Sequence, residues 1–224
     1  MYVREDLVRI RDTAVKRYLK SSAAVIPYAA VALGLYVLEN AWAAILLYHA
    51  GIAVVLAGRR GEMARVLFRG WDLKIATIGA VGCALAGMLV FLLWNLIHIE
   101  GLSLGVTLEH YGLYGVRWIA FVLYFVVVHP VMEEAFWRHH LMRTSTRPHW
   151  LDAAFAGYHV PVLLLFITPA WTALSFVLLA GVAWVWRVLS DRSGGLAIPV
   201  FSHALADLSI MCAVWVIVAR TSGG

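Results

Sequence analysis

A few ionisable side chains stand where the sequence is otherwise apolar. Glu133, Glu134 and Arg138 follow the run WIAFVLYFVVVHP, His159 lies in a second apolar run, and His203 and Asp207 lie in a third. Inside a membrane each such group costs about 2.5–3.5 kcal/mol on insertion scales, so each is by default a candidate for function. A buried carboxylate beside imidazoles offers acid–base chemistry, the Glu taking a proton from water and the His rings positioning or donating. Neighbouring residues on a helix diverge by about 100°, so Glu133 and Glu134 are not expected to face one pocket. Glu134 and Arg138 are spaced i,i+4 with the acid first, the favoured order for an ion pair. Glu133 then remains the free carboxylate. His203 and Asp207 share that spacing, so Asp207 can accept from one imidazole nitrogen and leave the other for a substrate. Phe155 stands one turn before His159 and would pack beside it. His129 stands one turn before Glu133 and could touch it, with Pro130 between them able to kink the helix.

The elements that must position these groups are set by composition. Of 224 residues, 62% are hydrophobic and 14% charged, which points to an all-α polytopic membrane protein rather than a soluble domain. About seven spans are expected, at roughly 23–39, 41–57, 75–98, 113–142, 152–168, 170–189 and 196–219, judged against the ~20 residues needed to cross ~30 Å of hydrocarbon. The first two meet at Glu39-Asn40 as a tight hairpin. Residues 1–22 alternate charge with Leu7, Val8, Ile10 and Val15 and are read as an amphipathic segment, an eighth element on the membrane surface. Residues 23–224 then form one helical membrane domain. The charged N-terminal stretch is too long for the n-region of a secretory signal. Continuous apolar runs without alternation argue against a barrel. Cys83 and Cys212 both lie in apolar runs and are read as small hydrophobes rather than a disulfide.

Basic residues set the orientation. With the N-terminus cytoplasmic, every Lys and Arg except Arg117 and Arg220 falls on the cytoplasmic side. The net charge of +5 is then topology plus attraction to anionic headgroups, and no nucleic-acid partner is needed. In that frame His159 and His203 each lie about 10 Å from the cytoplasmic start of their spans, and Glu133 about 13 Å from the cytoplasmic end of its own. Matched depth on three spans predicts a cavity opening into the cytoplasmic half. His139, His140, His149, Arg143 and Arg147 read as an interfacial rim, and the stretch from Ile99 with Glu100, Glu109 and His110 as a solvated outer loop.

Glu133-Glu134-x-x-x-Arg138, Phe155-x-x-x-His159 and His203-x-x-x-Asp207 resemble, in order and spacing, the three motifs of the CPBP (Abi) family of CAAX prenyl proteases and bacteriocin-processing enzymes. The resemblance covers Pro130 to Asp207 directly, within a core of about 113–219. It implies an intramembrane glutamic endopeptidase without metal or other cofactor, in a prokaryotic plasma membrane. Its partners would be membrane lipid and a membrane-embedded or lipidated peptide substrate. Glu133 would deprotonate water with His159 helping to position it, and His203 with Asp207 would stabilise the oxyanion. Glu134, Arg138 and Phe155 would support the site. The sequence departs from the pattern where Asp207 replaces the frequent Asn and Trp137 the frequent Phe. An ionised Asp207 would repel an oxyanion, so it is expected to orient His203 or to be neutral.

Two rival classes stay open. Glu133, His159, His203 and Asp207 include ligand types for a divalent ion that would activate water, although no H-E-x-x-H helix is present. A scaffold, an immunity factor against a bacteriocin or a proton-coupled carrier could use the same residues without cleaving anything.

Overall fold

The computed structural model describes residues 21–141 and 145–221, so the proposed amphipathic segment, but for its last two residues, and Arg143 lie outside the described residues. Their regular structure is helical, with no strand among the described residues: α1 (Ala23–Val37), α2 (Ala41–Leu56), α3 (Arg60–Leu67), α4 (Leu73–Ile97), α5 (Leu104–His110), α6 (Gly115–Leu141), α7 (Trp150–Leu163), α8 (Pro169–Ser193) and α9 (Ala197–Thr221). The ends are written in the sequence. Asn40 and Asp72 accept from the backbone N–H groups of Ala43 and Ile75, both at 2.9 Å, which caps α2 and α4. Pro169 opens α8 and Gly194, in the left-handed conformation at φ 66°, closes it.

Each of the seven apolar runs is helical, but α4, α6, α8 and α9 alone, among the described residues, are long and apolar enough to span a bilayer. The bent pair α2 and Gly61–Leu67, angled at 114°, would make a fifth span if taken together. Helix α1, and α7 with its 14 residues, extend only about 22 Å, less than the ~30 Å hydrocarbon core. Seven full crossings therefore overstate the count that helix length supports. The supposed outer loop contains α5, and His110 approaches Glu39 at 3.3 Å on the exposed hairpin turn. Exposed Leu85, Leu89 and Leu92 on α4, with Val177 and Leu178 on α8, form surfaces suited to lipid. The chain is an integral membrane protein.

Small residues allow the close packing that places the site. A Cβ on Gly34 would fall 2.3 Å from the Ala44 Cα, so only glycine lets α1 and α2 cross there. Helix α9 lies along α4, where the Ser209 hydroxyl donates to the Cys83 carbonyl at 2.8 Å. Between these pairs, Tyr48, Phe136, Trp137, Phe155, Tyr158 and Trp186 form a buried aromatic core. Pro130 interrupts the backbone ladder of α6, and Ala135–Leu141 continues the same helix with π-type winding. The carboxylates sit just before that change of winding.

Candidate active site

Glu133 and Glu134 are both fully buried on α6. Glu133 is not free: its Oε1 accepts from the Tyr48 hydroxyl of α2 at 2.6 Å and from the Tyr158 hydroxyl of α7. Trp137 Nε1 donates to the same Tyr48 oxygen at 2.8 Å, so the Trp that departs from the family pattern helps hold the phenol in place. With Oε1 saturated, Oε2 is the oxygen left for chemistry. It has no hydrogen bond, and faces His129 Nε2 at 3.6 Å and His203 Nε2 at 3.7 Å. The contact between His129 and Glu133 thus forms despite Pro130.

Glu134 accepts from His203 Nδ1 at 2.9 Å and pairs with Arg138 Nε at 3.2 Å. That pairing is within ion-pair distance but outside hydrogen-bond geometry. The Arg138 guanidinium lies over the rings of Phe155 at 4.1 Å and Trp186 at 5.4 Å, a cation–π seat that partly replaces water. Trp186 also stacks on His203, centroids 4.7 Å apart.

These contacts correct two expectations. Glu133 and Glu134 do meet at one place, because His203 of α9 inserts its flat ring between them and presents a different nitrogen to each. The residue that orients His203 through a hydrogen bond is Glu134. Asp207 instead faces the other nitrogen, Nε2, at 3.7 Å. A carboxylate only accepts, so Nδ1 carries a proton toward Glu134, and Nε2 is the atom that looks into the space shared by Glu133, Asp207 and His129.

His159, half-buried on α7, donates Nδ1–H to the Phe155 carbonyl at 2.9 Å and packs against Tyr158 with centroids 4.0 Å apart. In a neutral ring that leaves Nε2 as an acceptor. No hydrogen bond or ion pair joins His159 to Glu133 among the described residues, so its immediate neighbour Tyr158 makes the direct contact. Phe155 packs beside His159 as its spacing predicts. His129, His203 and Asp207 also have ligand atoms all within 4.8 Å of one another, a set able to hold a metal ion.

The supposed basic rim divides. His140 is buried and His149 caps α7, while His139 meets Glu62 at 3.6 Å. Tyr48, His49, Tyr124 and Tyr158 were not anticipated. For His49 the signal was present, an imidazole deep in an apolar run, whereas tyrosines are too common in such runs to stand out.

No curated protein and no solved structure compared with the chain gave a match. Residues 115–209, the stretch that holds Glu133, Glu134, Arg138, His159, His203 and Asp207, match the family model described as type II CAAX prenyl endopeptidase Rce1-like, and this protease family is the one the three motifs resemble.

Proposed function

We propose that the protein is an intramembrane glutamic endopeptidase, hydrolysing a peptide bond of a lipidated or membrane-embedded substrate near the cytoplasmic face. The observation that carries this is the asymmetry of Glu133. One carboxylate oxygen is locked by two tyrosine hydroxyls, and the other is buried, unpartnered and flanked by two imidazoles. Native proteins rarely leave a buried acceptor unpaired without a functional reason.

In the proposed reaction Glu133 Oε2 removes a proton from water as its oxygen adds to the scissile carbonyl. His159 Nε2 helps to hold that water. The proton retained by Glu133 passes to the departing amine as the C–N bond breaks, so the carboxylate is regenerated. His203 keeps its Nδ1–H on Glu134, and a second proton at Nε2, the atom that Asp207 and Glu133 face, makes it the donor to the oxyanion. Asp207 acts through His203 rather than on the oxyanion, which accommodates an acid where the family often has an amide. Glu134 and Arg138 position this histidine. The distribution of basic residues supports a cytoplasmic N-terminus and a site that opens towards the cytoplasm.

A second reading has one observation in its favour. The His129, His203 and Asp207 cluster could hold a divalent ion that activates the water in place of Glu133. The test is to incubate purified protein in liposomes with a farnesylated CAAX peptide and with its unprenylated counterpart, with and without a chelator, and to identify products by mass spectrometry. Chelator-resistant cleavage of the farnesylated peptide is expected. Cleavage abolished by the chelator would replace the glutamic mechanism with the metal one, and cleavage of neither peptide would remove the CAAX-like reading.

A further inference from the structure

Behind the site, a line of buried polar groups leads away from Glu133 through residues that the mechanism above does not use. His129 Nδ1 lies 3.1 Å from His49 Nε2, and His49 Nδ1 lies 2.7 Å from the Tyr124 hydroxyl. His49 and His129 are each 5% exposed. Their rings are held on both sides: His129 stacks on Phe125 with centroids 4.6 Å apart, and His49 lies against Tyr124 at 5.4 Å. His49 and Tyr124 lie outside all three motifs, and His49 lies outside the matched segment.

The direction of this line follows from donor and acceptor chemistry. His129 Nε2 stands 3.6 Å from Glu133 Oε2, outside hydrogen-bond distance, yet a carboxylate that near favours an N–H over a lone pair at Nε2. In a neutral ring His129 Nδ1 then accepts, and His49 Nε2 must donate to it. His49 Nδ1 is left as an acceptor, and only the Tyr124 O–H can supply it. Each group donates once toward Glu133 and no step conflicts. Reversing either ring would set two lone pairs or two N–H groups against each other.

We propose that Tyr124, His49 and His129 form a one-directional hydrogen-bond chain whose function is to position the reactive Oε2 of Glu133. His129 presents an N–H to the edge of the carboxylate opposite the tyrosine pair, and His49 and Tyr124 act through it by fixing its tautomer and ring orientation. The tyrosines hold Oε1 by hydrogen bonds, and the His129 N–H, 3.6 Å from Oε2 and short of a hydrogen bond, biases the carboxylate orientation electrostatically from the other side. This rests on the assignment of Glu133 as the base.

The test has two arms. Protein labelled with 15N-histidine in lipid nanodiscs is compared with Tyr124→Phe by solid-state NMR, which reports ring tautomers whether or not a substrate is turned over. His49 and His129 are expected to carry their protons on Nε2, and Tyr124→Phe is expected to shift the His49 Nδ1 resonance. A proton on Nδ1 of either ring overturns the chain. In the second arm, cleavage of the farnesylated peptide is followed in liposomes. His49→Ala should lower kcat about tenfold with KM unchanged, the loss expected from one buried hydrogen bond. His49→Gln, whose amide nitrogen reaches the position of Nε2, should recover most of it. In a His129→Ala background, His49→Ala should cost nothing more, because the effect passes through His129. Independent, multiplying losses would overturn the proposal. Should wild-type protein leave the peptide intact, the endopeptidase reading fails, while the spectra still decide whether the chain exists.

Discussion

Two buried ionic clusters in this molecule are built on opposite principles. Near the start of α7, Arg187 of α8 meets Asp152 through two hydrogen bonds, Nε to Oδ1 at 2.9 Å and Nη2 to Oδ2 at 2.7 Å. Nη1 and Nη2 also donate to the backbone carbonyls of Ser145 and Arg147, and Asp152 also accepts from the His149 N–H at 2.8 Å. Every charge there is satisfied, and the cluster ties two helices to the segment between α6 and α7. Around Glu133 the opposite holds. Glu133 Oε2, Glu134 Oε2, Asp207 Oδ2 and the guanidinium nitrogens of Arg138 are buried without a hydrogen-bond partner. A satisfied network rigidifies, whereas an unsatisfied one leaves polarity available to a substrate. Both clusters combine acid and base in the dark of the protein, and completeness of bonding is what separates brace from site.

Substitutions can sharpen this contrast. Glu133→Gln keeps an acceptor for both tyrosines but removes the proposed base, so cleavage of the farnesylated peptide should fall about 10³-fold. Its unfolding temperature should stay close to wild type, as thermal unfolding in detergent would show. Arg187→Ala should do the reverse. Asp152 is left buried and unpaired, at a cost of about 3–5 kcal/mol in stability. Protein that does fold should retain its turnover per folded molecule, and a selective loss of turnover would mean that the brace also takes part in the chemistry. Tyr158→Phe removes one of two donors from Glu133 Oε1 and should cost about tenfold in kcat with KM and unfolding temperature little changed, and a loss of stability without a loss of rate would count against the positioning role. Glu62→Ala, at the exposed end of the His139 pair, should change neither property measurably.

Much of the site was legible because charge inside an apolar run is costly and therefore conspicuous. Glu133, Glu134, Arg138, His203 and Asp207 stood out for that reason, and their i,i+4 spacing gave the pairing of Glu134 with Arg138. What spacing along single helices could not show is how separate helices meet. Glu134 holds His203 only because α9 packs against α6, and Tyr48, itself held by Trp137, reaches Glu133 only because α2 crosses α6. Tyr158 was hidden by its neighbour His159, whose type looked more reactive. Arg187 and Asp152 do not stand out because each lies near the end of an apolar run, and their mutual pairing is a tertiary fact. The fold class was plain from the apolar runs, whereas the number of crossings was not, since hydropathy marks where a run is apolar and helix length decides whether it spans. The matched segment, residues 115–209, leaves out α2, yet α2 supplies Tyr48 to the carboxylate.

The central claim is that Glu133 activates water without a metal. The most direct measurement compares new peptide termini in membranes from cells expressing the wild-type protein or Glu133→Gln, with a chelator added to part of each sample. The account predicts termini that occur with the wild type, are lost in Glu133→Gln and persist in the chelator. Wild-type termini that vanish with the chelator, or that form equally with Glu133→Gln, would contradict it.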